Sequence, residues 1–318
     1  MSKLIVSLSP HIHADGSVES NMRGVIIALL PALLVSFLYF GIGAAVVCLT
    51  SVLSCVLFEW AICRFIMKTP RNTVRDMSAV VTGLLLAFNL PSNIPVWIVI
   101  IGALVAIGIG KMTYGGLGCN PFNPALTGRI FLLIAYPVQM TDWTTCVPDG
   151  ISGSTLLANV KGGAIELSQI DYMSMLGGHM NGSMGEIGAL ALILGGIYLL
   201  WRRVITWHIP VAVLGTMALF SLCVAIGDGG AAMWQTPLFH LLAGGALLGA
   251  IFMATDYSTS PMTHKGMIIY GVGIGLLTMI IRLWGAYPEG MSFAIFIMNA
   301  ATPLINKYCR PKRFGTKK

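Results

Sequence analysis

Two groups of polar residues in this chain have types and spacings that could support chemistry. The first is a hydroxyl on a glycine-flanked turn, Asp149-Gly150-Ile151-Ser152-Gly153-Ser154-Thr155. Here Thr155 is a candidate attachment point for a cofactor, and Gly153 and Ser154 are small enough to leave its hydroxyl accessible. The other reading is an ordinary exposed loop, because Ser, Thr and Gly cluster in turns for local hydrogen bonding. The second group interrupts apolar runs. Asn120 and Asn123 lie in Gly115–Ala125, a stretch too rich in Gly and Pro for helix. Asn123 is placed to cap the helix that follows, whose N-terminus then faces either a ligand or a tight re-entrant turn. Asp256 ends the run Ile251–Thr255. It is either a ligand-binding carboxylate or an interfacial one bonded to Ser258 or Thr259.

The elements that must hold these residues are membrane helices. Of the 318 residues, 56% are hydrophobic and 10% charged, against roughly 25% charged in soluble domains. Mean hydropathy is +0.82. Apolar runs predict spans near 24–40, 43–63, 77–90, 94–110, 123–136, 185–201, 209–226, 238–254, 266–284 and 291–306. Those runs predict an all-α polytopic protein of about ten transmembrane helices in one membrane domain. No cleavable signal is evident before the first run. The run from Met77 ends at Asn89-Leu90-Pro91, a helix stop.

Charge placement orients the spans. Arg64, Lys68, Arg71 and Arg75 share one loop, Arg202-Arg203 another, and the tail 307–318 carries Lys307, Arg310, Lys312, Arg313, Lys317 and Lys318. The positive-inside rule puts these segments and both termini in the cytoplasm, and the loop 137–184 on the outer face. The net charge of +7 thus suits anionic lipid rather than nucleic acid. The seven cysteines lack a paired metal-ligand spacing. Cys48, Cys55 and Cys63 read as small core residues, Glu59 beside Trp60 as an interfacial anchor, and His208 and His240 as core or interface residues. Segments 84–91 and 251–261 correspond weakly at an offset close to 170. That predicts two repeats, 1–136 and 185–306, each of five helices and therefore inverted across the membrane, with broken half-helices flanking a central site.

Asp149-x-x-Ser152-Gly153-Ser154-Thr155 resembles the flavinylation motif D-x-x-[ST]-G-A-[TS], departing only at Ser154, where Ala is usual. Ser9-Pro10-His11-Ile12, Ala28–Ala32, Gly115–Gly128 and Phe252–Asp256 are likewise similar to segments of the RnfD/NqrB family. The compact N-terminus favours the D subunit of the Rnf complex. The resemblance implies a fold similar to that of urea transporters, FMN joined to Thr155 by a phosphodiester, and an outer-face flavin transferase to attach it. It also implies a second, noncovalent riboflavin, for which Asn120, Asn123 and Asp256 are the candidate residues (or else an ion site).

The expected function is electron transfer within an ion-translocating ferredoxin:NAD⁺ oxidoreductase of the cell membrane. The expected partners are the A and E membrane subunits, the G flavoprotein and the B and C cytoplasmic subunits. The chain has no dinucleotide fingerprint of its own and would not be a complete enzyme alone. The alternative is a channel or carrier for a small polar solute on the same scaffold, since fold does not fix function.

Overall fold

The computed structural model describes residues 17–68, 73–144, 152–165, 167, 170–178, 181–227, 233–287 and 289–310. His11, His13, Arg71, Cys146, Asp149 and the basic residues after Arg310 lie outside them. The described chain is helical apart from one ladder of two short strands.

Each apolar run forms a helix. Helix α1 (Val18–Ala61) is interrupted at Gly41, whose φ of 62° and ψ of −141° only glycine adopts at low cost. Its two arms coincide with the first two expected spans. The first arm packs on α8 (Ala189–Trp201), where a Cβ on Gly195 would stand 2.2 Å from the Ala28 carbonyl oxygen. The second packs on α2 (Ser78–Phe88), where the Ser51 hydroxyl donates to the Gly83 carbonyl at 2.7 Å. Such close backbone approach through small residues is how helices associate in lipid, where apolar burial offers little driving force.

Helix α2 stops at Asn89, as the Asn-Leu-Pro signal predicts, and α3 (Val96–Leu104) starts behind Pro95. A π-turn (Val105–Ile109) ends that span, and α4 (Pro124–Ala135) follows. The connection to α8 holds α5 (Pro137–Thr141), strands β1 (Trp143–Thr144) and β2 (Ser152–Gly153), α6 (Leu156–Lys161) and α7 (Tyr172–Gly177). Then come α9 (His208–Gly227), α10 (Gln235–Leu242), α11 (Ala246–Leu248) with a π-turn Gly249–Met253, α12 (His264–Trp284) and α13 (Met291–Tyr308). Helices α2, α3 and α4 begin at Ser78, Val96 and Pro124, and α11, α12 and α13 at Ala246, His264 and Met291, a near-constant offset of 167 or 168 residues.

Among the described residues four helices are long and apolar enough to cross a membrane, and a fifth if the 65° bend between α10 and α11 lies within one span. Helices α2, α4 and α8 are shorter apolar helices. The outer surface of α1 displays Leu30, Leu34, Leu38, Ile42, Leu49, Leu53 and Leu57, all well exposed. Glu59, Lys111, Arg129, Glu186 and Arg282 are buried. Apolar outside and charged inside is the inversion expected of a multi-pass membrane protein.

The two ends of the bundle differ in charge. At one end Gly24 abuts Val204, the Tyr257 hydroxyl donates to the Val204 carbonyl, and the Met262 amide donates to Asn306 at 3.2 Å. Arg23, Arg202, Arg203, Lys265, Lys307 and Arg310 belong to these segments. At the opposite end the Tyr39 hydroxyl donates to the Gly177 carbonyl at 2.9 Å, Asn93 to Asp142 at 3.2 Å, and Lys161 to the Gly285 carbonyl.

Candidate functional site

Thr155 lies at the end of the bundle away from the basic cluster. The ladder pairs Trp143 with Gly153 and Thr144 with Ser152, so the motif enters on a strand and leaves into α6. Thr155 is the N-cap of α6, and its hydroxyl accepts from the Ala158 amide at 3.2 Å. Only 4% of its surface is exposed. This differs from the accessible hydroxyl expected, because the cap position turns that oxygen onto the helix's free amides. The shield is weak: α6 has six residues, too few to be stable alone. Ser154, the departure from the motif, hydrogen-bonds to Asn159 across the first turn. Asp149 falls outside the described residues, and of Ser152 only the backbone is described.

At the basic end the structure brings Asn120, Asn123 and Asp256 together around one cavity, also lined by Lys111, Leu85 and Phe252. Asn123 caps α4 as expected, accepting from the amides of Ala125 at 3.0 Å and Leu126 at 3.4 Å. Its amide nitrogen donates to the Met253 carbonyl at 3.2 Å, tying α4 to the end of the second π-turn. Both connections that line the cavity follow π-turns, which are frequent at functional sites.

Asp256 lies in the connection after that turn and accepts from Ser258 at 3.0 Å and Thr259 at 3.3 Å. Burial pushes its carboxyl above the ordinary carboxylate value, against the lowering hydrogen bonds from Ser258, Thr259 and Asn120. A raised folded value contributes stability below the unfolded value near ~4, and that stability is lost as pH rises through the folded value. Asp256→Asn removes this penalty. The variant is expected to melt above the parent at pH 7.5, with the gap closing towards pH 4, by thermal unfolding in detergent. A lower melting point at every pH would contradict this account.

The cavity volume is 80 Å³, below the roughly 300 Å³ at which small-molecule sites begin.

Sequence reasoning missed the buried charges. Glu59 is not an interfacial anchor: it is 1% exposed and bound at 2.6 Å to Lys111, itself 2% exposed, which also donates to Ser78 at 2.7 Å. Arg129 on α4 bonds Asn89 and Glu289. Arg282 on α12 donates to the carbonyls of His240 at 2.6 Å, Ala243 at 2.8 Å and Gly244 at 3.0 Å, fixing the bend between α10 and α11. All these residues lie in or beside apolar runs, where an ionisable group is a functional candidate by default. That signal was available and would have found them. The rings of His208 and His264 stack at 4.3 Å beneath Trp207. Among the described residues no three of His, Cys, Asp and Glu gather as a metal site.

With this geometry in place, similarity to known proteins is decisive. The profile of the NQR2, RnfD, RnfE family matches residues 5–315. The chain belongs to that family. The D subunit of the Na⁺-translocating ferredoxin:NAD⁺ oxidoreductase complex of Acetobacterium woodii is 48% identical over 319 residues, covering 99% of this chain and 96% of that protein. The D subunit of the proton-translocating ferredoxin:NAD⁺ oxidoreductase complex of Clostridium ljungdahlii is 42% identical over 329 residues, covering 98% and 96%. The D subunit of the ion-translocating oxidoreductase complex of Ectopseudomonas mendocina is 36% identical, covering 98% and 95%. Within the NQR2, RnfD, RnfE family these relatives are subunits of redox-driven translocases, and two that differ in coupling ion both match from end to end.

Proposed function

We propose that this chain is the D subunit of an Rnf-type ion-translocating ferredoxin:NAD⁺ oxidoreductase, an electron-carrying membrane flavoprotein with FMN linked through a phosphodiester to Thr155. The match along nearly the whole length to subunits of that name carries the reading. Its partners are then the A, E, G, B and C subunits, and an outer-face flavin transferase attaches the cofactor. The end with the Arg and Lys cluster faces the cytoplasm, in keeping with the positive-inside rule. Thr155 then faces outward, where a covalent bond keeps a soluble cofactor from being lost.

The scaffold is read as ten spans in two inverted repeats. The near-constant helix offset supports this, as does the bent pair α10–α11, whose second limb α11 takes the place in the second half that the short helix α2 takes in the first. The residues at the attachment site fit the group: the Thr155 oxygen sits on a short helix that can open, between small Ser154 and a strand end. When bound, the isoalloxazine supplies the redox chemistry. The chain holds it on one end of the bundle and sets its surroundings. No step is assigned to riboflavin.

Purified protein, co-expressed with a flavin transferase, is expected to fluoresce as a flavoprotein after denaturing electrophoresis. The peptide containing Thr155 should gain the mass of FMN less water. An unmodified peptide under these conditions would refute the reading.

A further inference from the structure

Among the described residues three that are not glycine have a positive φ, and Arg203, at 56°, is one of them. It follows α8 at the position that closes a Schellman motif. The Arg203 amide donates to the Leu200 carbonyl at 3.0 Å, and the Val204 amide to the Leu199 carbonyl at 2.9 Å. Helices most often place glycine there, because a side chain in that conformation is disfavoured. A cation at a helix C-terminus is favourable, but Arg202 already supplies one. The fold alone therefore does not call for an arginine at the strained position, and such outliers point towards function.

Arg202 and Arg203 are both exposed. The ion pairs among the described residues are Arg23–Glu19, Lys111–Glu59 and Arg129–Glu289, so neither arginine has a carboxylate partner there. The chain beyond them is anchored: Val204 is buried against Gly24, and its carbonyl accepts from the Tyr257 hydroxyl. Farther on, the Thr206 hydroxyl donates to the Met267 sulfur at 3.4 Å, and His208 stacks on His264. These contacts bring the first turn of α12, with its exposed and equally unpaired Lys265, alongside the arginine turn.

An apolar track leads to the same place. Leu190, Leu194, Ile197 and Trp201 of α8 are exposed, and their helical spacing puts them on one face. That stripe runs about 16 Å, close to half of the roughly 30 Å hydrocarbon core of a bilayer. Trp201 and the exposed Trp207 flank the arginines, as indoles do at headgroup level. We propose that Arg202, Arg203 and Lys265 hold the phosphate of an anionic phospholipid whose acyl chain lies along the Leu190–Trp201 stripe. Guanidinium groups suit this role because their fork of donors matches phosphate oxygens. The site lies at the basic end of the bundle, away from Thr155, and stands whether or not a flavin is attached there.

The test uses full-length protein in a neutral detergent, melted with rising mole fractions of phosphatidylglycerol or of zwitterionic phosphatidylcholine. Phosphatidylglycerol should raise the melting temperature and phosphatidylcholine should not, since only a bound ligand stabilises by mass action. Arg203→Gly relieves the positive φ and should melt about 2–4 °C above the parent without lipid. The phosphatidylglycerol fraction that gives half the gain should nevertheless rise about fivefold in this variant, and equally in Lys265→Gln. Arg64→Gln removes one charge just beyond α1 and should keep the parent's response. Glycerol 3-phosphate, which has no acyl chains, should leave the melting temperature unchanged.

An equal gain from the two lipids would overturn the proposal, as would an unaltered lipid response in both Arg203→Gly and Lys265→Gln. A fivefold loss in Arg64→Gln as well would reduce the effect to overall charge and overturn the site. A gain from glycerol 3-phosphate equal to the lipid's would assign the arginines to a soluble phosphate instead.

Discussion

Replacing Thr155 by alanine is expected to abolish the covalent flavin band that the proposed attachment requires, and with it electron transfer through this subunit, while the bundle still folds. The expected effect on loading is complete, because a phosphodiester needs an oxygen at that position and the alanine methyl offers none. The structural cost is small by comparison. Thr155 caps a helix of six residues through one bond to the Ala158 amide, and loss of such a cap costs about 1 kcal/mol. Most of the protein's packing is elsewhere, so melting of the whole chain should shift little.

Two further variants separate capping from attachment. Thr155→Ser keeps both the cap and the hydroxyl, and should load flavin. Thr155→Asn is a good cap without an attachable oxygen, and should be as stable as the parent yet colourless. In-gel fluorescence and absorbance of purified protein read all three. Flavin retained on Thr155→Asn would place the bond on another residue and end the assignment.

Much of the architecture was legible because lipid imposes simple rules. Each apolar run became a helix, and the stop at Asn89-Leu90-Pro91 and the cap at Asn123 lie where those residue types require them. What pattern could not convey was the break at Gly41, which leaves two expected spans as arms of one helix. One glycine inside an apolar run looks like any other until its φ is known. The gathering of Asn120, Asn123 and Asp256 followed from treating polar residues in oily sequence as costly. The same reasoning, applied to Glu59, stopped at its neighbour Trp60. Its true partner, Lys111, is 52 residues away and belongs to the connection behind α3, so no local spacing reveals it. Thr155 failed differently: the turn was recognised, but its exposure was inferred from small neighbours. Exposure depends instead on the helix that the threonine begins.

The pair formed by Glu59 and Lys111 carries the second large prediction. Both side chains are almost fully buried and their charged atoms stand 2.6 Å apart, with Ser78 as an additional acceptor. Attraction between such charges is strong, but each loses its water, and the net gain over apolar packing is small or negative. The pair therefore stabilises the protein mainly against its own halves. Lys111→Met leaves a buried carboxylate without its counter-charge, and is expected to destabilise the protein by about 3–5 kcal/mol. Glu59→Leu leaves a buried ammonium with only Ser78, at a similar cost.

The double variant Glu59→Leu/Lys111→Met removes both charges at roughly equal volume and should recover most of the loss. The two effects thus fail to add by several kcal/mol, far outside the ~0.3–0.5 kcal/mol scatter seen for independent sites. Urea unfolding of the four proteins in one detergent measures the cycle, and simple additivity would show that the two charges do not meet. Lys111 also lines the cavity beside Asp256. A double variant that folds but no longer responds to Asp256→Asn in its stability at pH 7.5 would show that this ion pair sets the charge balance of the inner cavity as well as joining α1 to the connection behind α3.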